Sequence, residues 1–184
     1  MSTRDKIAGI VGAIEPLDEL EREHRDSTIE WIRSGAPIFR TMKPDVPPKH
    51  LVSYFALVDQ ERGKLLLVDH KLAGLWLPSG GHVEPDEDPA ATVIRELSEE
   101  LGLDAEFIHT GPLFITVTRT VAGDGGHTDV SLWYLIRGDS SCAIEFDRRE
   151  FHQVRWFGFD EIPFERSDPH MRRFVEKLRA TYLA

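Results

Sequence analysis

Three glutamates crowd one helical turn in the stretch Glu96-Leu97-Ser98-Glu99-Glu100. Like charges three and four residues apart destabilise a helix. At an effective dielectric of 20, two carboxylates roughly 5–6 Å apart repel by about 3 kcal/mol, and by less when solvated. A cation should therefore offset the repulsion. A helix turns by about 100° per residue, so with Glu96 at zero, Glu100 lies near +40° and Glu99 near −60°. Ala90, Val93, Leu97 and Leu101 fall between about 60° and 160°, a buried stripe beside an acidic one.

Runs of this kind are usually a solvated helix face, here with Arg95 as a local partner. Three features point elsewhere: the glycine-rich loop before the helix, Arg95 next to Glu96, and a further acid, Glu87, at the end of that loop. Clustered carboxylate oxygens suit a hard divalent cation, and magnesium in particular combines a few carboxylates, waters and substrate phosphates. The segment has no cysteine and no His-x-x-x-His pair, which disfavours zinc there.

The elements around the turn follow from end signals and periodicity. Asp88 can cap the helix, Pro89 suits its first turn, and Gly102 suits its exit. LVSYFALVD and KLLLVDH, joined by QERG, predict a hairpin. LAGLWLPSGGHVEPDEDP reads as a loop. PLFITVTRTV, VSLWYLIRG and QVRWFGF read as further strands, with AGDGGHTD as a loop, and DPHMRRFVEKLRATYL as a closing helix. Strands cluster rather than alternate with helices, so the expected class is α+β, or an α/β/α layered domain with a mixed sheet. Ahead of this, Asp18 to Ser34 predicts a helix that Gly35 and Pro37 stop, and TMKPDVPPKH reads as a stiff linker. The expected organisation is an N-terminal helical extension with its proline-rich linker at 1–47, and a second domain at 48–184. The extension reads as a helix covering the core, with dimerisation as the lesser alternative.

The chain has 184 residues, 41% hydrophobic and 29% charged, with a formal charge of −10. That balance disfavours a nucleic-acid scaffold, and it requires local cations wherever an anionic substrate binds. No apolar run approaches the roughly 20 residues of a membrane span. The N-terminus, one short apolar patch broken by glycine, carries no cleavage signal. The single cysteine, Cys142, excludes an internal disulfide, and it reads as a small buried hydrophobe. The expectation is an untargeted cytoplasmic protein.

Gly81, five residues, Glu87, seven residues, and then Arg95-Glu96-Leu97-x-Glu99-Glu100-x-Gly102-Leu103 resembles the Nudix box at every defining position. The likeness extends more loosely over about 50–184, including WFGFDEIP near the end. The resemblance implies a Nudix-type α/β/α sandwich with a mixed sheet. It also implies hydrolysis of a pyrophosphate bond in a nucleoside diphosphate linked to a moiety X, by water attack at phosphorus. In the family the matching glutamates hold divalent cations and one often serves as base. Glu96, Glu99 and Glu100 are therefore expected as ligands of magnesium (manganese as a substitute), with the carbonyl of Gly80 as a further ligand and Glu99 or Glu96 as candidate base. Arg95 and Glu87 are expected to orient the acidic helix. Some members add an acid beyond the box; Glu150 is the candidate, with Asp124, Asp129, Glu145 and Asp147 as rivals.

His127 could reach substrate but reads more simply as a surface-loop histidine. Trp76 and Phe55 could stack on a base, though strand aromatics are usually core. Arg119 could meet a phosphate. The expected partner is a small nucleotide, with no nucleic acid and no membrane, and a homodimer is left open. Two other functions compete: a non-catalytic nucleotide-sensing module, and an isopentenyl diphosphate isomerase-like enzyme, which would need Cys142 in the site. In the family, a proline about fifteen residues after the box marks ADP-ribose substrates and a slightly later tyrosine marks dinucleoside polyphosphates. Thr116 through Val121 contain neither, so the base and X stay open.

Overall fold

A computed structural model describes residues 2–43, 45–120 and 126–182. Two helices, α1 (Thr3–Gly12) and α2 (Glu19–Arg33), precede strands β1 (Lys49–Asp59), β2 (Lys64–His70), β3 (Leu75–Leu77) and β4 (Ser79–His82). Helix α3 (Pro89–Leu101), strands β5 (Phe114–Arg119), β6 (Thr128–Arg137) and β7 (Phe151–Gly158), and helix α4 (Met171–Tyr182) follow. The sheet runs β3-β2-β1-β6-β5, with β4 paired to β1 and β7 to β2. Among the described residues, β1 and β6 pair in parallel and the other strand pairs are antiparallel, so the sheet is mixed.

Strand β1 is hydrophobic almost throughout because helices cover both of its faces. Leu51, Phe55 and Leu57 pack with Val93, Leu97 and Leu101 of α3. Ala56 and Val58 pack on the opposite side with Phe174, Val175 and Leu178 of α4. Helix, sheet and helix thus form the expected sandwich. The edge of β1 is shared: Val52–Phe55 pair with β4, whereas Val58 and Asp59 pair with β2. This division turns the chain at β4 so that it enters the loop before α3 beside the sheet.

The N-terminal helices join the same core through Ile7, Val11 and Ile32. Helix α2 lies along the β5 edge of the sheet. There the buried Glu21 accepts from the amide of Ile115 (3.3 Å) and pairs with the buried Lys177 of α4 (2.7 Å). A carboxylate on an edge-strand amide occupies a donor that would otherwise invite another strand. Asp18 caps α2 by accepting from the amide of Glu21 (2.8 Å), and both its oxygens accept from Arg173. Asp18→Ala should therefore remove a cap worth ~1 kcal/mol and a partly exposed ion pair worth up to ~1 kcal/mol. Melting followed by circular dichroism should fall by roughly 2–8 °C. An unchanged melting curve would mean that α2 is anchored elsewhere.

Helix α1 was not expected. Its glycines, Gly9 and Gly12, depress helix propensity, but a Ser2/Asp5 capping box starts it and Ile7, Ala8 and Val11 bury one face. Strands β3 and β4 lie inside the presumed loop 72–89; at three and four residues they are too short for periodicity to reveal. Lys49 and His50, assigned to the linker, open β1 instead. Among the described residues, no helix is long and apolar enough to cross a membrane.

Candidate functional site

Helix α3 begins and ends where its caps predict. Asp88 accepts from the amide of Ala90 (2.9 Å), Pro89 occupies the first turn, and Gly102 closes the helix in the left-handed region at φ 64°. Strand β4 delivers Gly80 and Gly81 to the side of this helix. A Cβ on Gly81 would lie 2.0 Å from Glu96 Oε1, so only glycine leaves room for that carboxylate.

Arg95 fixes the loop to the helix. Its Nε and Nη2 donate to the two oxygens of Glu87 (both 3.0 Å), its Nη1 donates to Glu96 Oε1 (2.6 Å), and Nη2 also reaches the carbonyl of His82 (3.3 Å). Glu87 accepts further from Thr92 Oγ1 (2.7 Å) and the amide of Glu84 (3.0 Å). Burial pushes the Glu87 carboxyl up, but these hydrogen bonds, those from Arg95 foremost, outweigh it and hold the group below its ordinary value. Arg95 and Glu87 thus brace the helix against the loop.

The acidic turn divides by angle. Glu100, nearest the apolar stripe, is only 7% exposed. Glu96 is half-buried and Glu99 is exposed. Glu100 accepts from the Ser79 hydroxyl and has no ion-pair partner among the described residues. Burial pushes its carboxyl up to about 8; the Ser79 hydrogen bond opposes this, and the charges of Glu96, Glu150 and Asp147 add to it. Glu96 is raised by burial, against the pull of Arg95, and further by Glu99 and Glu150. One guanidinium therefore does not neutralise the turn.

Glu96, Glu100 and Glu150 line one cavity of about 940 Å³ together with Gly80 and Gly81. Glu99 does not line it. Among the rival acids, Asp147 is held by Arg149 (2.5 Å), Glu145 is exposed, and Asp129 belongs to a separate histidine cluster. Asp124 lies outside the described residues. The cavity also has five basic side chains, Arg40, Lys43, Lys71, Arg95 and Arg149. Arg95 is engaged by Glu87 and Glu96, and Arg149 by Asp147; the five together gather cationic groups in a chain that is acidic overall. Arg40 lies just before, and Lys43 within, the segment that reads as a linker, where spacing carries no sign of them.

Other expectations meet different outcomes. Trp76 and Phe55 are core residues, and Arg119 is exposed. His127 is not a simple surface histidine: it is half-buried and stacks on His50 with ring centroids 5.2 Å apart. Cys142 is exposed rather than buried, because it lies in the turn after β6, where its thiol contacts Asp139 (3.5 Å). It does not line the cavity.

The family model of the NUDIX domain matches residues 49–178. A MutT-like protein of Streptomyces ambofaciens is 28% identical over 132 residues, spanning 72% of this chain and 79% of that protein. Nucleoside diphosphate-linked moiety X motif 6 of Homo sapiens is 30% identical over 134 residues, which is 72% of this chain but 40% of the human protein. Among solved structures, the MutT NUDIX hydrolase from Burkholderia pseudomallei superposes with a TM-score of 0.54 at 25% identity, covering 70% of this chain and 96% of its own. With the box intact on a braced helix and the match running through the whole sandwich, the chain belongs to the NUDIX family and is a Nudix hydrolase.

Proposed function

We propose that the protein is a magnesium-dependent hydrolase that cleaves a pyrophosphate bond in a nucleoside diphosphate linked to a further moiety X, by attack of water at phosphorus. The observation that carries this reading is one cavity lined by Glu96, Glu100 and Glu150 and by five basic side chains. Its acids suit a hard divalent cation and its bases suit phosphate oxygens. The residues fit such an ion: Glu100 is buried with a neutral hydroxyl as its side-chain partner, and Glu96 retains repulsion that Arg95 does not cancel. Glu96, Glu100 and the Gly80 carbonyl, which line the cavity, together with Glu99, exposed on the same turn beside it, would hold magnesium, with manganese as a substitute. Bound there, the ion would polarise phosphoryl oxygens and offset the charge that builds at phosphorus.

The chain's own residues do the rest. Arg95 and Glu87 keep the acidic helix in register with the loop. Arg40, Lys43, Lys71 and Arg149 draw in and orient the phosphates. In this reading the extension 1–47 contributes a wall of the substrate site to the domain at 48–184. Glu150 or a box glutamate, Glu99 or Glu96, takes the proton from the attacking water. A new O–P bond forms, the bridging P–O bond breaks, and a nucleoside monophosphate leaves together with the phosphorylated X.

Hydrolysis in oxygen-18 water tests the proposal. The label is expected on a phosphate of one product, with magnesium required and a nucleoside monophosphate formed. Label confined to a non-phosphate product would overturn water attack at phosphorus.

A further inference from the structure

A second group of ligating side chains gathers at the starts of β1 and β6. His50 is the second residue of β1 and Asp129 the second of β6, and the parallel register sets the two side by side. His127 precedes β6, while Asp45 lies in the segment leading from the extension. His50, His127 and Asp129 each offer one ligand atom within 4.8 Å of the others; Asp45 and His82 form a second such set that shares His50.

Hydrogen bonding specifies the tautomer of His50. The Nδ1 of His50 lies 2.9 Å from the carbonyl of Pro47. A carbonyl only accepts, so Nδ1 carries the proton and Nε2 of the neutral ring presents its lone pair. That fully buried Nε2 lies 3.1 Å from Asp129 Oδ1, and neither atom makes a hydrogen bond. The Nε2 of His127 lies 3.2 Å from the same Oδ1, while its Nδ1 faces Thr120 Oγ1 (2.9 Å) and Asp45 Oδ2 (3.3 Å). With its proton on Nδ1, His127 also turns a lone pair toward Asp129. Two imidazole lone pairs and a carboxylate oxygen then converge with nothing between them.

We propose that His50, His127 and Asp129 form a binding site for a zinc-type transition-metal dication, distinct from the carboxylate site on α3. Imidazole with carboxylate is a donor set suited to zinc. Ligands about 2.0 Å from a tetrahedral ion lie roughly 3.3 Å from one another, close to the spacings of 3.1 and 3.2 Å seen here. The outer contacts are also those a metal-bound imidazole makes, a backbone carbonyl on one ring and a carboxylate on the other. Asp45 and His82 form a separate set around His50, so water would complete the coordination, while Asp45 holds His127 from outside through its Nδ1. Because Asp45 follows Arg40 and Lys43 in sequence, a bound ion would fasten the segment that carries these two cations to the start of the parallel strand pair.

The test uses the full chain without a histidine tag, stripped of metal and titrated with zinc in excess magnesium, with cobalt as a spectroscopic substitute. One zinc per chain should bind despite the magnesium, and cobalt should give the intense visible bands of a four-coordinate site with nitrogen ligands. His127→Gln and Asp129→Asn should each weaken zinc binding at least tenfold, whereas Glu96→Gln/Glu100→Gln should leave it unchanged. The cobalt spectrum is read on the wild type and so does not depend on either variant folding. Zinc binding lost in the glutamate double variant but kept in His127→Gln and Asp129→Asn, or absence of zinc binding in magnesium, would overturn the proposal.

Discussion

Glu100→Gln is expected to lower turnover at least about a hundredfold while leaving the fold intact, and to make the metal-free protein less sensitive to pH. Loss of a partner outside the ligand shell already costs ~10–100-fold in metal sites, and loss of a ligand should cost no less. The glutamine oxygen can still accept from Ser79, and the substitution barely changes volume, so the helix should pack as before. The stability effect follows from linkage. The folded-state carboxyl is raised to about 8 from an ordinary 4.5, so between those values the folded state binds more protons than the unfolded one. The stability this group contributes is complete below about pH 4.5 and is lost as the pH rises through about 8. Metal-free wild type should therefore melt progressively lower from pH 5 to pH 9, and Glu100→Gln should flatten that decline. Magnesium should raise the wild-type melting temperature at pH 8, by about 2.7 kcal/mol of stabilisation at a hundredfold excess over Kd, and should have much less effect on the variant. An equal magnesium shift in both proteins, or near wild-type turnover at limiting magnesium, would remove Glu100 from the metal site.

The readable parts of this molecule are those whose signals are local. Asp88, Pro89 and Gly102 mark the ends of α3 within the sequence itself, and the structure has the helix between them. Asp18 and Ser34 do the same for α2. The acidic turn was visible as a cluster, but its division was only partly so: the +40° offset of Glu100 toward Val93 and Leu97 becomes burial only once the sheet is in place. What stayed hidden depends on contacts between distant segments. Strand β4 exists because the first half of β1 needs a partner where β2 has not yet begun pairing. Arg40 and Lys43 reach the cavity because α1 and α2 pack into the common core and the segment that follows them lines its wall. The histidine cluster joins residues 45, 50, 82, 127 and 129, a set that no spacing rule connects. The exposure of Cys142 depends on the turn that carries it, which residue type alone does not show.

Two neighbouring glycines should respond in opposite ways to the same added methyl. Gly81→Ala places a Cβ 2.0 Å from Glu96 Oε1 and 2.3 Å from its Cδ, and all three of its nearest neighbours belong to that side chain. A flexible carboxylate can move aside, so the fold should survive with a melting temperature near that of the wild type. Its displacement would pull Glu96 from the 2.6 Å contact with Arg95 and out of line with Glu100. A misplacement of about 1 Å costs on the order of a hundredfold in rate, and a loss of that size is expected in kcat rather than KM. Gly80→Ala instead places a Cβ 2.2 Å from the carbonyl oxygen of Ser53 and 2.8 Å from Tyr54 Cα, at φ +155°. These are backbone atoms of the strand that pairs with β4, and the φ is one that side chains rarely adopt. Neither obstacle can rotate away, so the substitution should cost ~3 kcal/mol or more and lower the melting temperature by roughly 6–12 °C. Steady-state kinetics and thermal melts on the two variants separate the effects. Undiminished kcat in Gly81→Ala would mean that Glu96 can leave its place without consequence, and the chemistry would have to be reassigned to the other carboxylates of the cavity.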